Sequence, residues 1–186
     1  MRGLPLALCR LLANRSLIAE RKNVRTATLI LVSGKMGAGK STLAKQIAEQ
    51  RNAVLICEDQ WLSTLYPGNI ASFEDYLHYS SLIRPLVKAH VVDILGAGAD
   101  VVLDFPANTV KQRHWLRAIA TDAGADNELH YLDLSDDTCL EQIAKRCVES
   151  PERAAFDTEA MFNEVTKHFQ EPTEDEGFNI RVHGRA

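Results

Sequence analysis

Lys40 and Ser41 close the run Gly34-Lys35-Met36-Gly37-Ala38-Gly39-Lys40-Ser41, whose spacing is GxxxxGK[ST]. Each fixed position has a mechanical task. Glycine lets the backbone wrap closely around phosphate oxygens, where a Cβ would collide. The amide N–H groups turn inward and form an anion nest. Lys40 brings a point charge to the β- and γ-phosphates, and Ser41 offers a hydroxyl to Mg²⁺. A helix entered through Ser41 and Thr42 directs its positive end at the same anion. The chemistry this run can do is to hold the triphosphate of ATP with Mg²⁺.

Two carboxylates stand where such chemistry needs them. Asp104 ends the apolar run Val101-Val102-Leu103 and is the expected Mg²⁺ residue. Asp59 follows Ile56-Cys57-Glu58 and suits a base that orients an acceptor hydroxyl and takes its proton. Glu58 is assigned no role. Positive charge for the departing phosphoryl group is expected from Arg146 and Arg153, at either end of a Pro151-interrupted lid over about 146–157. Arg113 has two readings, an acceptor-phosphate ligand or a surface ion pair. Trp61, Tyr66, Tyr76 and Tyr79 either stack on an acceptor ring or fill core. The histidines show no metal-ligand spacing.

These residues must be positioned by alternating elements. Strands are expected at 28–33, 53–57, 101–105, 129–134 and 178–182. Helices are expected at 41–50, 81–95, 109–123, 135–148 and 158–169, with 58–80 a mixed, aromatic-rich stretch around the Pro67-Gly68 turn. Strands separated by helices specify an α/β domain with a mostly parallel sheet and right-handed crossovers. Ligands of such sheets bind beyond the carboxyl ends of the strands, where the phosphate loop, Asp59 and Asp104 all fall.

The 186 residues suffice for a single domain over 27–186, and the 46% hydrophobic content is ordinary. A net charge of −4 speaks against non-specific nucleic-acid binding. Residues 1–26 differ, with Arg2, Arg10, Arg15, Arg21, Lys22 and Arg25 against Glu20 alone. This basic extension is read as dispensable, as a helix for a protein partner or membrane surface, or as a targeting segment. Its apolar stretch 4–13 is far too short to span a bilayer. Cys9, Cys57, Cys139 and Cys147 form no CxxC pair, which suits a reduced, cytoplasmic setting.

The motifs together resemble the small P-loop kinases grouped as AAA-domain, ATP-binding proteins. That group is similar to the kinase domain of polynucleotide kinase, to chloramphenicol phosphotransferase and to zeta toxins. The resemblance spans about 27–183. It rests on the phosphate loop, on Ile56-Cys57-Glu58-Asp59, on Val102-Leu103-Asp104 with Arg113, and on Lys145-Arg146 to Arg153. It implies a five-stranded parallel sheet of order 2-3-1-4-5 and binding of ATP and Mg²⁺. It also implies Asp59 as acceptor-side base and lid arginines at 146 and 153. Polynucleotide kinases carry an arginine shortly after the acidic residue, and here Gln60-Trp61-Leu62-Ser63 follow instead. The expected acceptor is therefore a small hydroxyl compound rather than a nucleic acid. Two alternatives stand beside it: a regulatory nucleotide-binding module acting through a protein partner, and a nucleotide-sugar kinase of the zeta-toxin kind.

Overall fold

The apolar run before the phosphate loop has no polar alternation, so both of its faces must be covered. In the computed structural model, which describes residues 25–151 and 157–184, it forms β1 (Thr28–Gly34), buried along its whole length. The other strands are β2 (Val54–Cys57), β3 (Val101–Asp104), β4 (Asp126–Leu132) and β5 (Asn179–His183). They form one sheet of order β2-β3-β1-β4-β5 in which every neighbouring pair is parallel. This is the expected order. Register brings Cys57 opposite Asp104 and Gly34 opposite Leu132, so the carboxyl ends of four strands share a rim.

The helices are α1 (Lys40–Arg51), α2 (Glu58–Leu65), α3 (Phe73–Gly96), α4 (Val110–Ala123), α5 (Asp136–Glu149) and α6 (Glu159–Thr166). Alternate strand residues point to opposite layers. Leu29, Leu31, Leu103 and Leu129 pack with Leu62, Ile83, Val87, Leu116 and Ile119 from α2, α3 and α4. Ile30, Val32 and Val102 pack against Ala44, Ile47 and Ala48 of α1. A third cluster joins Ala38 of the phosphate loop to Cys139 and Ile143 of α5 and Phe162 of α6. Full burial of each large aliphatic side chain is worth about 1.5–3 kcal/mol, so the loop that follows β1 leaves a rigid base.

Two stretches depart from expectation. Residues 58–80 are helical over most of their length, as α2 and the start of α3. Ser72 caps α3 by accepting from the Asp75 N–H, and the Asp75 carboxylate accepts from the Ser72 N–H in return. Ser72-Phe73-Glu74-Asp75 is thus the start signal, eight residues before the expected one. Pro85 lies inside α3 and withholds one backbone donor. The helix continues through it because Ile83, Val87, Val91 and Leu95 are buried against the sheet. β4 begins at Asp126 rather than at 129, since polar Asp126, Asn127 and Glu128 pair with β1. Buried Glu128 is satisfied there by Arg51 and Arg181.

Residues 1–24 lie outside the described residues, so the extension with Cys9 has no structural account beyond Arg25, which pairs with Asp100. Arg153 lies outside them too, with the rest of 152–156 in the expected lid. Among the described residues no helix is long and apolar enough to cross a membrane.

Candidate active site

β1 delivers the chain at Gly34 and α1 takes it up at Lys40, so Lys35, Met36, Gly37, Ala38 and Gly39 form a tight loop on the rim. Gly37 has φ of 80°, and a Cβ there would sit 2.4 Å from the Cys139 carbonyl oxygen and 2.8 Å from Ile143 Cγ1. Helix α5 therefore demands glycine at this position through its own packing. Gly39, at φ 89°, caps α1 without a side-chain hydrogen bond, and the first turn of α1 carries no acid. Its amides are left for an external acceptor, and the helix end favours an anion. Ser41 and Thr42 are exposed on that turn.

Lys40 Nζ donates to the carbonyl oxygens of Gly34 and Lys35, at 2.8 Å each, and so spans the mouth of the loop. Burial lowers its pKa to about 8, opposed chiefly by the nearby Asp104 carboxylate, with Asp59 and Arg146 also acting on it. Lys40, Asp104, Asp59 and Arg146 thus belong to one electrostatic neighbourhood, as their strand-end and helix positions require. Asp104 is half-buried at the tip of β3 and accepts from the Cys57 thiol at 3.5 Å. Asp59 is exposed in the first turn of α2. Arg146, on α5, donates from Nε to the buried Asp157 at 2.7 Å.

Glu58 turns away from the rim and is buried beneath it. It accepts from Tyr76 Oη and Ser80 Oγ at 2.6 Å each. Burial pushes its carboxyl above the usual range, and those two hydroxyls moderate the shift. The three groups lock α2 to α3 and so fix the direction in which Asp59 projects. Arg113 is neither an acceptor ligand nor a surface residue. It is fully buried, forked onto Glu176 at 2.6 and 2.7 Å, and donates to the Ala107 and Gln170 carbonyls. It ties the segment after β3 to the C-terminal segment. The segment after β3 in turn supports β1, because Ser33 Oγ donates to the Ala107 carbonyl at 2.8 Å.

Beside the loop lies a cavity of about 620 Å³, within the range of small-molecule sites. Lys40, Met36 and Asp59 are among the residues that line it. Phe73, Tyr76, Leu77 and Arg84 of α3, Pro106 and Asn108 after β3, Gln112 of α4, and Val165 and His168 at α6 line it as well. Of the four aromatic candidates, Tyr76 alone lines this cavity. Tyr66 and Tyr79 pack on one another as tilted rings with centroids 4.4 Å apart, and Trp61 packs on the core. Arg84 and Gln112 were not anticipated. Gln112 was legible as the partner of a Thr109 capping box, whereas Arg84 carries no local signal.

Glycine-dependent loop, strand-tip carboxylates and parallel order define a P-loop NTPase with the architecture of the small kinases. The chain belongs to the AAA domain family, whose model matches residues 29–172. No curated protein matches the sequence. Among solved structures it is similar to a presumed kinase from Chloroflexus aurantiacus, 18% identical with a TM-score of 0.67, covering 85% of this chain and 88% of that one. It is also similar to the Mycobacterium tuberculosis APS kinase CysC, solved with AMPPNP and APS, at 18% identity and TM-score 0.59 over 87% of this chain and 91% of that one. Chaetomium thermophilum Kti12, solved with ADP-AlF3, is 20% identical with TM-score 0.59, covering 83% and 88%. At these identities the likeness establishes the fold.

Proposed function

We propose that the protein is an ATP-dependent phosphotransferase acting on a small hydroxyl-bearing acceptor. The observation that carries this reading is the cavity that runs from Lys40 past Asp59. A nucleotide switch needs a phosphate loop but no chamber beside it. A kinase needs both, with a carboxylate facing the chamber.

The roles follow from position. The backbone from Gly34 to Gly39, with Ser41 and Thr42, cradles the phosphates of ATP, and Lys40 exchanges its two carbonyl contacts for phosphate oxygens. Ser41 and Asp104 would hold Mg²⁺, a hydroxyl and a carboxylate being the oxygen donors that this hard cation takes. When bound, Mg²⁺ neutralises charge on the phosphates. Asp59 accepts the proton of the acceptor hydroxyl as that oxygen bonds to the γ-phosphorus. The bond to the β–γ bridging oxygen breaks and ADP leaves. Arg146 and Arg153 supply positive charge to the transferring group, and the 146–157 segment closes over it. The acidic body of the chain and the Gln60-Trp61-Leu62-Ser63 sequence favour a small molecule over a nucleic acid. The setting proposed is cytoplasmic.

ADP release, screened across a library of hydroxyl metabolites, tests the reading. One compound class should stimulate release, and Asp59→Asn should abolish the stimulation while nucleotide still binds. Should ATP instead alter binding to a protein partner, with Asp59→Asn making no difference, the protein is a regulatory module. Growth arrest on expression, relieved by Lys40→Ala, would favour the toxin-like kinase.

A further inference from the structure

Arg84 is the cavity's unexplained cation. It sits on α3 four residues beyond Ser80 and eight beyond Tyr76, on the same helical stripe, and so faces the chamber that Tyr76 lines. Its guanidinium carbon lies 5.4 Å from the centroid of the Trp115 ring, and this aromatic floor holds the fork in place. Its Nε is buried and has no hydrogen-bond partner among the described residues. Glu58, the carboxylate its charge acts on, already has both oxygens engaged by Tyr76 and Ser80. A buried donor left unmade costs stability, more where the group is charged. The Nε itself is sealed from the chamber, but the charged fork belongs to a residue that lines it and can receive an anion that enters.

Resting on the kinase reading of the same site, we infer that the acceptor carries an oxyanion, a carboxylate or a phosphate ester, which Arg84 grips from the chamber wall supplied by α3. The planar fork matches a two-oxygen anion, which a lysine would not. Phe73, Tyr76, Leu77, Pro106 and Val165 supply an apolar wall for the body of the molecule. Asp59 receives the hydroxyl. The acceptor class is thus a hydroxylated compound with an apolar or aromatic body and one anionic group.

The test is calorimetric titration of the full chain with phenyl phosphate, benzoate and benzyl alcohol. A non-hydrolysable ATP analogue and Mg²⁺ are present to keep the phosphate loop from competing for the anion. At least one anion should bind tenfold or more tightly than the alcohol, and which anion does so separates phosphate from carboxylate recognition. Arg84→Met should erase the preference, and Arg84→Lys should retain only part of it. Circular dichroism of each variant checks folding, and if Arg84→Met does not fold, Arg84→Lys and Arg84→Gln decide. Anions binding no better than the alcohol, or a preference untouched by these changes, overturn the inference. So does a preference lost in Lys40→Ala instead, since that puts the anion in the phosphate loop. The kinase reading fails separately, when no compound gives Asp59-dependent ADP release. Release with neutral acceptors alone would sink the anion and spare the kinase.

Discussion

Cys57 and Asp104 end adjacent parallel strands in exact register, and the thiol donates to the carboxylate at 3.5 Å. Burial, chiefly, raises the Cys57 pKa, so the sulfur keeps its proton and remains a donor at neutral pH. The contact aims Asp104 along the rim toward Lys40, whose charge it supports. If Asp104 serves Mg²⁺ through water, replacing it should cost about 10–100-fold in metal affinity. Asp104→Asn should therefore lose the Mg²⁺-dependent part of nucleotide affinity and leave binding in EDTA nearly unchanged. Titration of nucleotide with and without the metal measures both. Equal Mg²⁺ enhancement in the variant and the wild type would remove Asp104 from the metal shell.

Lys40 predicts a pH signature. Its pKa in the folded protein, about 8, lies below the ordinary lysine value because burial disfavours the charge. Between about 8 and 10.5 the unfolded chain binds the extra proton, so this residue makes stability rise with pH across that window. Lys40→Met should lack the rise, seen as the difference between two denaturation series. A triphosphate reverses the balance by favouring the ammonium. At pH 8, binding should take up about half a proton, read from calorimetry in buffers of different ionisation heat. No uptake would mean that the lysine does not meet the phosphates.

What was legible in the chain is what is local. The alternation of elements gave the parallel α/β sheet, the resemblance to the small P-loop kinases gave its strand order, and Thr109-Val110-Lys111-Gln112 marks a helix start by its own chemistry. Asp59 and Asp104 could be placed because strand ends in a parallel sheet share one rim. Arg84 could not, since its place depends on how α3 packs against Trp115 of α4, 31 positions away. Arg113 was misjudged for a similar reason. Its partner Glu176 is 63 positions away, and no spacing rule connects the two.

That buried pair gives the third prediction. Burial alone would raise the Glu176 carboxyl, but the Arg113 fork, the Thr173 amide and the Arg113 charge outweigh it and hold its pKa low. The pair's contribution is therefore present above the ordinary glutamate range and is lost as pH falls through the lowered value. Arg113→Ala leaves a buried carboxylate with its main partner gone and should cost about 3–5 kcal/mol. An apolar double replacement, Arg113→Met with Glu176→Leu, should recover much of that loss. Urea denaturation of the wild type and the two variants gives the comparison. A double variant no more stable than Arg113→Ala would show that the carbonyl contacts to Ala107 and Gln170, rather than the ion pair, hold the C-terminal segment.

Two glycines with the same backbone hand separate strain from packing. Gly68, φ 75°, has no atom within 4 Å of a built Cβ, so Gly68→Ala meets only the left-handed penalty of about 1–2 kcal/mol. Gly37, φ 80°, meets that penalty and a backbone oxygen of α5 at 2.4 Å as well. Overpacking of this kind adds about 1–3 kcal/mol. Gly37→Ala should therefore be the more destabilising by roughly that margin, and it should also weaken nucleotide binding, because the loop must move off α5 to relieve the contact. Gly68→Ala should leave nucleotide affinity alone. Denaturation midpoints with matched nucleotide titrations decide. Equal losses for both would mean that α5 yields to the added carbon and does not set the shape of the phosphate loop.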